Sequence, residues 1–163
     1  MELKEIKINY TVYSSVNELP EQEQLLLEKA KIATKTAYAP YSAFNVGAAI
    51  LLENGIIVCG NNQENAAYPS GLCAERVAMF AASSQYPEIP MKIIAITANT
   101  LKFDVNFPVS PCGSCRQVMS EYENRQHQPI KVILMGESGN IQVIESISGL
   151  LPFMFHAEEL KQK

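Results

Sequence analysis

Three cysteines and one glutamate carry the chemistry-bearing pattern of this chain. Cys112 and Cys115 stand three apart behind Pro111 in Ser110-Pro111-Cys112-Gly113-Ser114-Cys115-Arg116-Gln117, and Cys73 opens Cys73-Ala74-Glu75-Arg76. Structural zinc usually takes four protein ligands, whereas catalytic zinc takes three and leaves the fourth place to water. Three thiols therefore predict a zinc site with an open position. Glu75 lies too close to Cys73 to be an ordinary second ligand, and a carboxylate beside such a water is a natural proton carrier. Alone, Glu75 would read as an acidic residue favoured at a helix start; the three candidate ligands give it a task. Three thiolates on one Zn²⁺ leave a negative charge that is costly to bury unless it is offset. Arg76 and Arg116 each follow a ligand closely and are assigned as donors to the sulfurs, against the plainer reading of both as surface arginines.

These residues need elements that bring them together. Each ligand segment is predicted to begin a helix directly after a loop, Cys73 behind Pro69 and Gly71, Cys112 behind Pro111. A helix start offers free N–H groups and a partial positive charge, both of which favour thiolate. Cys112 and Cys115 at i, i+3 share one face of the first turn. The helices are expected over Cys73–Ser83, with Val77, Phe80 and Ala81 on one face, and over Cys112–Tyr122, with Val118, Met119 and Tyr122 on the apolar side. An earlier helix starts with Pro20 in its first turn and runs to about Ala37, carrying Leu25, Leu26, Ala30 and Ala33, and stops before Pro40.

Alternation of Ile6, Ile8, Tyr10 and Val12 with polar residues predicts a first strand at a sheet edge. Val46–Leu52 and Ile56–Cys59 flank Asn54-Gly55, a hairpin signal. Met91–Ala98 is apolar nearly throughout and is expected to be buried on both faces. Ile130–Met135 and Ile141–Ile144 complete the strands, and the tail from Ser146 is mixed helix and turn. The order β-α-β-β-α-β-α-β-β-α implies a mixed sheet of about five strands between helices, an α/β/α layering with one extra N-terminal strand. The expected organisation is one domain, 1–163, with residues 1–18 as an extension.

Composition narrows the class. The 163 residues are 47% hydrophobic and 18% charged, which is globular rather than disordered. Thirteen Lys and Arg against 17 Asp and Glu give a net charge of −4. The absence of any basic cluster argues against nucleic acid as a partner. No apolar run approaches the roughly 20 residues needed to span a bilayer, and no basic segment precedes an apolar one at the start. The expected location is cytoplasmic, where cysteines read as metal or catalytic groups before disulfides. Cys59, in an apolar strand, reads as a small buried hydrophobe outside the site. His127 and His156 lack ligand spacing to the cysteines and are expected at the surface.

These residues resemble the zinc-dependent nucleoside deaminases, and closely the small tetrameric cytidine deaminases, whose site includes a three-cysteine variant, a non-ligand glutamate and a Pro-Cys-x-x-Cys segment. The resemblance extends through Ala39-Pro40-Tyr41-Ser42-x-Phe44-x-Val46-Gly47-Ala48-Ala49, Asn62-x-Glu64-Asn65-Ala66-x-Tyr68, both cysteine motifs in order, and Leu150-Leu151-Pro152 with Phe155. It implies the cytidine deaminase-like fold, one Zn²⁺ per subunit, a small-molecule nucleoside substrate and hydrolytic deamination of cytidine and 2′-deoxycytidine in pyrimidine salvage. It implies further that zinc held by Cys73, Cys112 and Cys115 activates a water that attacks C4 of the base, and that Glu75 carries protons to N3 and to the leaving amino group. By the same resemblance Asn62 and Glu64 bind the ribose hydroxyl, Phe44 packs on the nucleoside and the Ala74 N–H meets the base carbonyl. Tyr68 and Phe155 match positions where subunits of a homotetramer complete each other's sites. Without the resemblance, Asn62 and Glu64 are loop polars, Phe44 is core and Phe155 is a tail hydrophobe.

The chain departs from the family pattern in three places: the N-terminal strand, a long connection from Leu101 to Val109, and Phe155-His156-Ala157-Glu158-Glu159-Leu160 in place of the familiar Phe-Gly-Pro-Glu-Asp-Leu ending. Three rival readings share parts of the motif set. Another aminopyrimidine deaminase, such as the blasticidin type, shares the metal motif, and the ribose-type Asn62-x-Glu64-Asn65 argues instead for a nucleoside. A polynucleotide-editing deaminase is expected to be basic and to carry histidine among its ligands. A non-catalytic zinc protein would fill the fourth position, with Cys59 as the available donor, and would leave Glu75 without a role.

Overall fold

The computed structural model describes residues 1–156; Ala157 to Leu160 of the departing tail motif lie outside them. The chain order is β1 (Thr11–Tyr13), α1 (Glu21–Thr34), β2 (Asn45–Leu52), β3 (Ile57–Asn61), α2 (Ala74–Gln85), β4 (Met91–Asn99), α3 (Gly113–Gln126), β5 (Lys131–Leu134) and β6 (Ile141–Ile144). Short 3₁₀ turns lie at Val16–Glu18, Tyr68–Ser70 and Ile147–Gly149. The six strands form one sheet in the order β1-β6-β5-β4-β2-β3. Only β4 and β5 pair in parallel; every other pairing is antiparallel.

Alternation along β2 sorts the two cores. Ala49 and Leu51 face α1 with Leu26, Leu27, Ala30, Ile93 and Ile133. Ala48, Ile50 and Leu52 face the other way, with Ala78, Met79, Ile94 and Met119 under α2 and α3. The predicted three-layer α/β/α arrangement is thus present, and β4 is buried on both faces as its run of apolar residues implied.

This topology positions the ligand segments. β3 and β4 are both antiparallel to β2, so they run the same way. α2 follows β3, α3 follows β4, and both helices pack on the same face. Their N-termini therefore emerge at the same edge, outside the carboxyl ends of two co-directional strands, where open α/β sheets place ligands.

Several expectations need correction. The first strand pairs only over Thr11–Tyr13, because its partner β6 has only four residues; Ile6, Ile8 and Tyr10 are exposed. Pro20 stands at the N-cap of α1 rather than inside its first turn. α1 ends at Thr34 instead of about Ala37, since the Tyr38 N–H donates to the Asn62 carbonyl (3.0 Å) and the Glu64 N–H to the Tyr38 carbonyl (2.8 Å). These bonds to a segment distant in the sequence draw the backbone out of the helix. Leu25 is exposed, and the buried stripe of α1 is Leu26, Leu27 and Ala30.

On α2 the buried side is Ala74, Glu75, Ala78, Met79 and Ala82, not the face of Phe80, which is 42% exposed. Close packing explains the choice. A Cβ on Gly60 of β3 would meet the Ala78 backbone nitrogen at 2.5 Å and the Ala74 carbonyl oxygen at 2.7 Å. Small residues let the helix backbone approach the strand, where Val77 and Phe80 would hold it off. α3 continues four residues past Tyr122 and ends where His127 takes a left-handed conformation, φ 53°. Cys59 is exposed on the edge strand β3 rather than buried. Through His156 the tail holds only the 3₁₀ turn at Ile147–Gly149. Among the described residues, no helix is long and apolar enough to cross a membrane.

Candidate metal centre and its cavity

Cys73 and Cys112 occupy equivalent places. Each is the extended N-cap residue of its helix, and neither uses its side chain as a cap. Both sulfurs are therefore free to face one another while the helix N–H groups lie behind them. Cys115 sits in the first turn of α3, fully buried. The Cys73 and Cys112 sulfurs are 4.0 Å apart and those of Cys112 and Cys115 3.4 Å apart. All three lie within 4.8 Å of one another. A tetrahedral zinc with Zn–S bonds of about 2.3 Å spaces its sulfurs about 3.8 Å apart, so the donor set fits one such ion. Among the described residues no other His, Cys, Asp or Glu joins the group. Cys59 is not part of it, and the fourth donor required by a purely structural zinc is missing from the described residues.

The electrostatics suit thiolate at Cys73. The Cys73 thiol is held down to about 5 by hydrogen bonding with Cys115, with Arg76 and Cys112 adding to it against the opposing effect of burial. Cys115 is pushed up by that same shared proton and by burial. Arg76 donates through Nη2 to Cys73 Sγ (3.9 Å) and to the Gly71 carbonyl (3.4 Å). Burial alone would lower the Arg76 pKa, but the Cys73 sulfur outweighs it and raises it. Its Nε is buried and has no partner among the described residues. An unpaired donor beside three sulfurs fits a site that gathers more negative charge when all three are ionised. Arg116 differs from expectation. Its Nε donates to the Pro111 carbonyl (2.9 Å) and its Nη1 to the Leu150 carbonyl (2.8 Å), so it ties the start of α3 to the tail instead of donating to sulfur.

Glu75 is 5% exposed. Burial pushes its carboxyl pKa up, with the Cys73 charge adding to that effect and a backbone N–H, Cys115 and Arg76 working against it. It lines a cavity of about 680 Å³ together with Cys73, Cys112, Phe44, Asn62 and Glu64. That volume lies within the range of small-molecule sites. Tyr68 also lines it, 77% exposed, with its ring edge-on to Tyr41 at 6.0 Å. Ala74 is the first residue of α2, and its N–H has no intrahelical acceptor.

The loop polars are already engaged. Asn62 accepts from the Val46 N–H (2.8 Å) and donates to the Phe44 carbonyl (2.9 Å). The Glu64 carboxylate accepts from the N–H groups of Tyr41 (2.8 Å) and Ser42 (3.3 Å) and from the Ser42 hydroxyl. The Ser42 hydroxyl is the largest influence lowering its pKa, with burial opposing and the two N–H groups and Lys102 assisting. Phe155 is not among the cavity-lining residues. It is 58% exposed, and its backbone is held to α3 by paired bonds with the Gln117 side chain (2.9 and 3.3 Å). Sequence reasoning missed Gln117, Ser42 and Lys102 as partners of these residues; the length of the 101–109 connection was the one available signal for Lys102.

A cluster of three sulfurs and a buried carboxylate at the carboxyl edge of a mixed sheet defines a zinc hydrolytic centre in an α/β/α protein. The family described as "Cytidine and deoxycytidylate deaminase zinc-binding region" matches residues 20–128. The cytidine deaminase of Halalkalibacterium halodurans is 43% identical over 137 residues, 84% of this chain and 96% of that one. The cytidine deaminase of Sporosarcina psychrophila is 42% identical over 135 residues, 83% and 92% of the two chains. Among solved structures, cytidine deaminase from Burkholderia pseudomallei superposes with a TM-score of 0.70 at 40% identity, covering 80% of this chain and 97% of that chain. The chain belongs to the zinc-binding cytidine and deoxycytidylate deaminase family.

Proposed function

We propose that the protein hydrolyses the exocyclic C–N bond of cytidine and 2′-deoxycytidine, giving uridine or 2′-deoxyuridine and ammonia. The observation that carries this reading is a cluster of three cysteine sulfurs, two of them (Cys73 and Cys112) lining a cavity of about 680 Å³ together with the buried Glu75, and the third, Cys115, buried behind them. Zinc, held by Cys73, Cys112 and Cys115, supplies Lewis-acid activation of water when bound. Glu75 takes a proton from the attacking water and delivers it to N3 of the base; it then carries the proton of the hydroxyl now on C4 to the amino nitrogen, so that the C4 carbonyl forms as ammonia leaves. Burial raises the pKa of this carboxyl above the ordinary range, which favours its taking up a proton as well as giving one. The Ala74 N–H donates to the base carbonyl. Phe44 packs against the nucleoside, and Asn62 and Glu64 bind the ribose hydroxyl, with Glu64 also holding the Tyr41–Ser42 turn. Arg76 offsets sulfur charge.

The whole chain acts as one domain with residues 1–18 as an extension, in the cytoplasm and in pyrimidine salvage. It assembles as a homotetramer in which Tyr68 and Phe155 complete neighbouring sites; both aromatic side chains are more than half exposed in one subunit, which supports that reading. Zinc content per chain, molar mass in solution, and ammonia release from cytidine, deoxycytidine, cytosine and CMP test these statements together. One zinc per chain, a tetramer mass and turnover of the two nucleosides, lost on chelation and restored by zinc, are expected. Equal turnover of cytosine base would overturn the ribose assignment.

A further inference from the structure

The cavity wall from Tyr41 to Phe44 is held from behind by a segment that the family motifs do not include. Ala43 in this wall has φ 57°, a left-handed conformation that a non-glycine residue adopts at a cost. Such a conformation persists only when its surroundings hold it. Thr100 Oγ1 donates to the Ala43 carbonyl (2.7 Å), and Lys102 Nζ donates to the Ser42 carbonyl (2.7 Å). The Phe103 ring stacks on Phe44, centroids 6.4 Å apart and planes 28° from parallel. The segment is itself anchored. Val105 is fully buried, and the Ser138 N–H donates to its carbonyl (3.3 Å). A Cβ on Gly136 would fall 2.2 Å from that same carbonyl oxygen, so the approach is close. Thr100 Oγ1 further accepts from the Lys102 N–H (3.3 Å), linking two of the three contacts.

We propose that Thr100, Lys102 and Phe103 are positioning residues that preset the sugar-side wall of the cavity and thereby set the affinity for nucleoside. This rests on the reading of the cavity as a nucleoside site. Lys102 and Phe103 are not among the residues that line the cavity. They act through Ser42, which also bonds Glu64, and through Phe44. The brace touches neither the sulfurs nor Glu75, so its loss removes binding common to ground and transition states, which raises KM and leaves kcat.

The test uses the zinc-loaded full chain, with steady-state kinetics on cytidine and equilibrium binding of uridine. Lys102→Met and Phe103→Ala are compared with Lys102→Arg, which keeps the donor, and with Lys92→Met, an exposed lysine elsewhere. Lys102→Met and Phe103→Ala are expected to raise KM and the uridine Kd in parallel by about fivefold or more, with kcat within about twofold. Zinc content and melting temperature stay at the wild-type values, and Lys102→Arg recovers most of the affinity. Unchanged KM and Kd in both variants, a fall in kcat alone, or a melting temperature that drops in step with KM would overturn the assignment. A wild-type protein that deaminates no cytidine would fail earlier, at the functional reading, and the brace would fall with it.

Discussion

At the residue scale the site separates two carboxylates by environment. Glu64, in the cavity lining, accepts several hydrogen bonds, and these hold its pKa down. Glu75 sits buried beside sulfur, and burial pushes its pKa up. The first is suited to holding a turn and a polar ligand, the second to moving a proton. Glu75→Gln keeps the shape of the side chain and removes the titratable carboxyl. It is expected to retain one zinc per chain and to lose at least ~10²-fold in kcat, measured by metal analysis and ammonia release on the same sample. Retained turnover would remove Glu75 from the chemistry. Arg76 and Arg116, both beside a ligand in sequence, differ in what they touch. Arg76 reaches Cys73 Sγ, whereas Arg116 is taken up by two carbonyls. Spacing alone could not separate them, because the direction of a long side chain depends on the segment packed over it.

At the scale of elements, the metal centre depends on how closely α2 lies on β3. Ala74 and Ala78 are fully buried, and Gly60 leaves no room for a Cβ beneath them. Gly60→Ala is expected to push the N-terminal half of α2 outward, carrying Cys73 and Glu75 away from Cys112. The expected cost is about 1–3 kcal/mol of stability, read by denaturant unfolding, together with reduced zinc content of the purified protein. Normal zinc content would show that the α2 start is held from its loop side instead. Of the predicted face of Val77, Phe80 and Ala81, Ala81 packs partly buried against the core and Val77 is half-buried, while Phe80 is exposed for the same reason. Hydrophobicity pointed to the larger side chains, but the sheet selected the side whose small residues allow close approach.

For the whole molecule, Lys131 links layers. Its Nζ lies 3.0 Å from the buried Glu23 carboxylate on α1 and 3.6 Å from Glu145 beyond β6. Burial alone would lower the Lys131 pKa, but Glu23 and then Glu145 outweigh it and raise it above 10.5. Its folded value therefore exceeds the unfolded one. The stabilisation is fully present below about pH 10 and is lost as pH rises through the folded value. Lys131→Met strands the Glu23 charge and is expected to cost about 1–3 kcal/mol at neutral pH, less than a fully buried pair because Lys131 keeps some exposure. Unfolding of both proteins between pH 7 and 11 checks this: the gap should hold to about pH 10 and narrow above it. A gap that stays constant to pH 11 would mean that packing, not charge, is lost.

The sequence by itself determined the three clustered cysteines, the carboxylate beside them and the order of elements through β6. Ligand identity is a property of residue type, and apolar periodicity with proline and glycine punctuation is local. The strands from β2 to β6 and the starts of α2 and α3 were legible for that reason. Tertiary structure decided what depends on partners distant in the chain: the early end of α1 at the Tyr38–Asn62 contact, the shortening of β1 to the length its neighbour allows, and the buried side of α2. It also decided that β3 and β4 run the same way beside β2, which sets two helix N-termini side by side and closes three sulfurs to within 4.8 Å. Strand direction in a sheet is set by long-range pairing, and no window of sequence around either cysteine motif contains it.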